Sequence, residues 1–138
     1  MEIRLFQKNT FDDLVRLSRQ STNFLEEHNT PKSAIFAVEL TIEELVTNTI
    51  KYGYEDDEEH VIDVVVAKDD ATVTVIVSDD GHEFDPLSAA APDLESSAED
   101  REIGGLGIHL LKNLMTDLRY ERAGERNVVT AVKSFEDT

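Results

Sequence analysis

The sequence predicts an α+β domain in two layers, a mostly antiparallel sheet with helices on one face. Three observations predict it. Two stretches of helical periodicity stand side by side in the first third of the chain, between residues 11 and 52. Paired runs of β-branched residues follow, each pair joined by a short polar turn. Helices and hairpins are therefore segregated along the chain rather than alternating, which argues against a parallel βαβ sheet. The 138 residues suit one domain, spanning 1–138, with a real core.

Residues 1–7 read as a first strand. Thr10 is placed to cap a helix over about 11–28, whose apolar stripe is Leu14, Leu17, Phe24 and Leu25. His28-Asn29-Thr30-Pro31 interrupts it. Thr30 then reads as the cap of a second helix with Pro31 in its first position. That helix runs to about Tyr52 and stops at Gly53. The acidic run Glu55–Glu59 reads as a solvated turn, since it lacks the spacing of a calcium loop. Val61–Ala67 and Thr72–Val77 form a hairpin across Lys68–Ala71. The second of these strands alternates Thr with Val, as expected when one face is buried. Residues 81–103 have no periodicity and read as a long loop, a length usually reserved for function. A helix over about 106–115 follows. Thr116–Glu121 and Asn127–Ser134 make a last hairpin around Arg122–Glu125.

Composition narrows the partners. Thirty acidic against thirteen basic residues give a net charge of −17. Nucleic acid and anionic membranes both demand Lys/Arg neutralisation, so neither is expected. There is no apolar run long enough to span a bilayer and no signal-peptide pattern at the N-terminus. The absence of cysteine excludes disulfides, thiolate metal sites and a cysteine nucleophile, and fits a cytoplasmic protein. Any anionic ligand must be held locally, by backbone N–H groups, a metal or a few basic side chains.

Three constellations carry chemistry. On the second helix, at about 100° per residue, Ile35, Val38, Ile42, Leu45, Val46 and Thr49 cluster toward the sheet. Glu44, Asn48 and Lys51 share the roughly opposite face. A carboxylate can take a proton from a hydroxyl, an amide oxygen suits Mg²⁺, and an ammonium can meet a phosphate. The plainer reading is an ordinary helix exterior. The second constellation is Ser78-Asp79-Asp80-Gly81-His82-Glu83-Phe84-Asp85-Pro86. A carboxylate leaving a strand end can accept from an amino group, and Gly81 lets a flat ring lie against the backbone. Asp-Asp-Gly is also a common turn. His82, with no second histidine at ligand spacing, reads as a loop residue. The third is Gly104-Gly105-Leu106-Gly107, directly before an apolar helical run. Free N–H groups and the dipole at a helix N-terminus favour an anion, most often phosphate, though such a turn is also an ordinary tight connection.

The order of the three is more specific than any one of them. Thr41–Tyr54 is similar to the N box of the GHKL (Bergerat-fold) ATP-binding superfamily, with its Glu-x-x-x-Asn core. Asp79–Pro86 is similar to its G1 box, and Gly104–Met115 to its G2 box. Gly124–Thr130 resembles its closing hairpin. Within the superfamily the chain resembles the small, stand-alone anti-sigma-factor serine/threonine kinases of bacteria, the RsbW-like group. The resemblance covers about residues 8–134.

It implies a Bergerat fold that binds ATP with Mg²⁺. Asn48 would coordinate the Mg²⁺, and Glu44 would be the general base. Asp79 would accept from the adenine amino group, with Gly81 seating the base. Gly105, Gly107 and the N–H groups after them would hold phosphates, and Gly104 would hinge an ATP lid over 87–103. Lys51 is a further phosphate candidate, and Thr130 would reach the adenine side through water. The implied partners are a sigma factor and an anti-sigma-factor antagonist, and the implied assembly is a homodimer. One departure stands out, since Glu83 occupies the place of the second glycine in the G1 box. The expected function is a protein serine/threonine kinase acting on the antagonist and sequestering the sigma factor. The alternative is a nucleotide-dependent protein-binding module without kinase activity.

Overall fold

A computed structural model of the protein describes residues 1–88 and 105–135. In chain order the elements are β1 (Glu2–Lys8), α1 (Phe11–Glu27), α2 (Lys32–Tyr52), β2 (Val61–Lys68) and β3 (Thr72–Asp79), a 3₁₀ turn at Pro86–Ser88, then α3 (Gly105–Leu114), β4 (Asp117–Ala123) and β5 (Arg126–Ser134). The five strands form one sheet in the order β1-β2-β3-β5-β4, and every neighbouring pair is antiparallel. The α+β expectation holds, with each element within a few residues of its expected bounds. Among the described residues no helix is long and apolar enough to cross a membrane.

Alternation decides which sheet face is buried. Val73, Val75 and Val77 of β3 point toward the helices with Ile62, Val64 and Val66 of β2 and Val129 and Ala131 of β5. From the helix layer, Leu17, Leu25, Val38, Ile42, Leu45 and Val46 meet them, all at most 2% exposed. The expected stripes of both long helices are therefore the core. β2 carries Asp63 on the other face, where Arg4 of β1 binds it at 2.6 Å. The β4–β5 turn is the two-residue Gly124-Glu125, and Gly124 takes φ 62°, a conformation glycine adopts without strain.

Thr10 caps α1 as expected, its hydroxyl accepting from Asp13 N at 3.3 Å. Thr30 does not cap α2. The cap position is Pro31, with no side-chain hydrogen bond, and the helix begins at Lys32. The physical reason lies in the short link from α1. Asn29 turns the chain with φ 58°, and Thr30 N then donates back to Leu25 O at 3.0 Å. That geometry turns the Thr30 side chain into the interior, where its hydroxyl has no hydrogen-bond partner.

Candidate functional site

The site is built where α2, the end of β3 and the start of β5 converge under α3. Asp79, the last residue of β3, is only 5% exposed. Its Oδ1 accepts from Gly81 N at 2.8 Å and from Asn127 Nδ2 at 3.0 Å. Its Oδ2 lies 3.3 Å from the Thr49 hydroxyl, which also donates to Leu45 O at 3.1 Å. A hydroxyl has one proton, so Oδ2 keeps acceptor capacity for something else.

The turn after Asp79 is clamped to the end of α2. Gly81 is buried, and a Cβ there would fall on the Gly53 carbonyl oxygen. His82 N donates to that same oxygen at 3.1 Å, while the His82 ring bonds Tyr52 O at 2.7 Å through Nε2. His82 is thus a latch between loop and helix. The close approach made possible by Gly81 is real, and what approaches it here is the protein's own backbone. Above Asp79 lies a narrow slot lined by Leu45, Asn48, Thr49 and Val77 on one side, Asn127 and Val129 on another, and Phe84 and Pro86 as a roof. Its lining is mostly apolar with a carboxylate and two amides, and as it stands the slot is nearly closed, so a ligand larger than water enters only if Phe84 and Pro86 move away.

The expected stripe Glu44, Asn48 and Lys51 is divided. Asn48 is 5% exposed and lines the slot, not a helix exterior. Its amide makes no hydrogen bond among the described residues, so its oxygen is available as a ligand. Glu44, one turn earlier, is half-buried under α3. Gly107 is buried too, and a Cβ on it would fall on the Glu44 carboxylate. A side chain at 107 would require the Glu44 carboxylate to move aside. Burial, and next the neighbouring Glu43, raise the Glu44 pKa above its ordinary value, while Lys51 acts in the opposite direction. Lys51 itself is exposed, at the end of α2. The exterior reading fails because α3 and the loop after β3 cover two of the three positions.

Gly105 opens α3, as the glycine turn before a helix predicts. Gly104 and most of the expected lid, residues 89–103, lie outside the described residues. Glu83 has an exposed side chain. Thr130 is a correction. It faces away from the slot, because β5 alternates and the slot takes Asn127 and Val129. Its cross-strand partners are Ile76 and Arg119, on the sheet face away from the helices. The residue on β5 that does reach the site is Asn127, in direct register with Asp79. Strand parity could have found it, since Asp79, Val77 and Val75 pair with Asn127, Val129 and Ala131.

A family model described as the histidine kinase-like ATPase domain matches residues 8–133. The chain belongs to the histidine kinase-like ATPase family. Among relatives of this histidine kinase-like ATPase domain is the anti-sigma F factor of Clostridium novyi (strain NT), 26% identical over 121 residues, covering 88% of this chain and 83% of the relative. Another is the serine/threonine-protein kinase BtrW of Bordetella bronchiseptica, 26% identical over 95 residues, covering 69% and 67%. The fold is shared with a crystal structure of the RsbU and RsbW domains of a Mycobacterium tuberculosis protein. The TM-score there is 0.66 at 16% identity, covering 96% of this chain and 31% of that one.

Proposed function

We propose that this chain is an ATP-dependent protein serine/threonine kinase that phosphorylates an anti-sigma-factor antagonist and sequesters a sigma factor. The observation that carries the proposal is a half-buried carboxylate, Glu44, one helical turn from Asn48 at the slot floored by Asp79. A module that only bound nucleotide would need Asp79 and the glycines, but not Glu44. The names of the relatives, anti-sigma F factor and serine/threonine-protein kinase, support the same reading.

Adenine would enter the slot with its amino group donating to Asp79 Oδ2. The phosphates would lie toward the N–H groups of Gly105, Gly107 and the residues after them, which begin α3 and have no earlier helical turn to bond. Lys51 adds positive charge on that side of α2. Asn48 fits a Mg²⁺ ligand, since its amide oxygen is uncommitted and Mg²⁺ takes few protein ligands beside phosphate and water. Bound there, Mg²⁺ would neutralise phosphate charge, which matters in a protein of net charge −17. Glu44 would accept the proton of a serine or threonine hydroxyl as that oxygen bonds to the γ-phosphorus and the bond to ADP breaks. The raised pKa makes Glu44 a better proton acceptor than an exposed glutamate. A protein with this role would act in the bacterial cytoplasm.

The test is transfer of label from γ-labelled ATP to a purified anti-sigma-factor antagonist. Wild type should phosphorylate it on serine or threonine. Glu44→Gln should retain ATP binding and lose transfer by about 10²-fold or more. Equal transfer by Glu44→Gln removes Glu44 from the base role. A wild type that binds ATP but transfers nothing is a nucleotide-dependent binding module.

A further inference from the structure

We infer that Asn127 is the positioning residue that makes the slot select a 6-amino purine over a 6-oxo purine; the inference rests on the nucleotide reading above. Asn127 is 4% exposed, and its amide is fully committed. Nδ2 donates one hydrogen to Asp79 Oδ1 at 3.0 Å and the other to His82 O at 2.8 Å. Oδ1 accepts from the Tyr120 hydroxyl at 2.7 Å, Arg122 Nη1 at 3.1 Å and Phe84 N at 3.2 Å. Three donors on one side and two acceptors on the other fix which way the amide points.

Two consequences follow for the base. The first concerns Asp79. With Oδ1 held by Asn127 and Gly81 N and Oδ2 beside the Thr49 hydroxyl, the plane of the carboxylate is set, and Oδ2 is the oxygen with acceptor capacity to spare. A fixed carboxylate oxygen accepts and cannot donate, so it takes an amino group and repels a carbonyl. The second concerns the roof. Asn127 holds Phe84 N and His82 O, and Arg122 Nη1 also donates to Gly81 O at 2.8 Å. The same side chain therefore sets the acceptor at the floor and the height of Phe84 above it. A site built around a hydrogen bond rejects the analogue lacking it far better than one built on shape alone. Without Asn127, Oδ1 loses one of its two donors. The carboxylate is then free to turn, and water can enter between it and a 6-oxo group.

The experiment measures dissociation constants of ATP and inosine triphosphate by calorimetry, for wild type and Asn127→Ala, with circular dichroism as the check on folding. Should Asn127→Ala fail to fold, Asn127→Thr carries the test; its branched side chain suits a strand, and one hydroxyl cannot reach both Asp79 and His82 O. Wild type should favour ATP by about 100-fold or more. In the folded variant that ratio should fall at least about tenfold. A variant that weakens both nucleotides alike and keeps the ratio overturns the inference, leaving Asn127 a brace for the loop. A wild type that binds ATP without discriminating overturns it as well. A wild type that binds neither nucleotide overturns the nucleotide reading itself, and this inference with it.

Discussion

Glu44 shows how a single position acquires a chemical property from its surroundings. Its carboxylate occupies the space that a side chain at residue 107 would take, and burial raises its pKa, helped by Glu43. A base must be ionised to act, so the phosphotransfer rate should fall as pH drops through that raised value. The acid limb of log kcat at saturating ATP is therefore expected above the ordinary glutamate range of about 4.3. A limb at or below that value would contradict the burial of the acting carboxylate. That Glu44 and Asn48 stand one helical turn apart and that Asp79 ends a strand was legible in the sequence, whereas their cover by α3 and the loop after β3 is tertiary and was not. Nor was Asn127. Whether residue 127 or residue 130 of β5 faces the slot turns on strand parity, and a one-residue shift exchanges the two faces. The parity is set by the pairing with β3, which lies 48 residues away for Asp79 and Asn127.

At the level of elements, α1 and α2 differ in how they begin. Thr10 caps α1, and Asp13 in its first turn accepts from Lys8 N at 2.7 Å and from Arg16 Nε at 2.7 Å. Those bonds, Arg16 foremost, hold the Asp13 carboxyl down at about 2, so this joint keeps its charge at any ordinary pH. α2 has no such cap, and the residue before Pro31 spends its hydroxyl in the interior without a partner. Thr30→Val keeps the branched shape and removes a desolvated polar atom. It is expected to stabilise the protein by about 1 kcal/mol, read as a higher urea midpoint at unchanged m. A lower midpoint would mean that the hydroxyl has a partner after all. The helix itself was legible from its apolar spacing, while its cap was not. Capping depends on the direction from which the chain arrives, and the turn at Asn29 determines that direction.

The whole chain of 138 residues carries a net charge of −17. Self-repulsion of that kind opposes compactness and is screened by salt. Raising NaCl from about 0.01 M to 0.15 M shortens the screening length from about 30 Å to 8 Å, and the melting temperature should rise by a few degrees. A flat or falling melting temperature over that range would place the acidic side chains in local pairs that already neutralise one another. The antiparallel order β1-β2-β3-β5-β4 also has a consequence in time. β5 is synthesised after β4, yet it sits inside the sheet between β3 and β4. A ribosome that has released everything through β4 has delivered Asp79 with no Asn127 beside it, and the slot has a floor without its brace. A half-made chain therefore lacks the finished slot, and the bond between Asp79 and Asn127 forms only once β5 is in place.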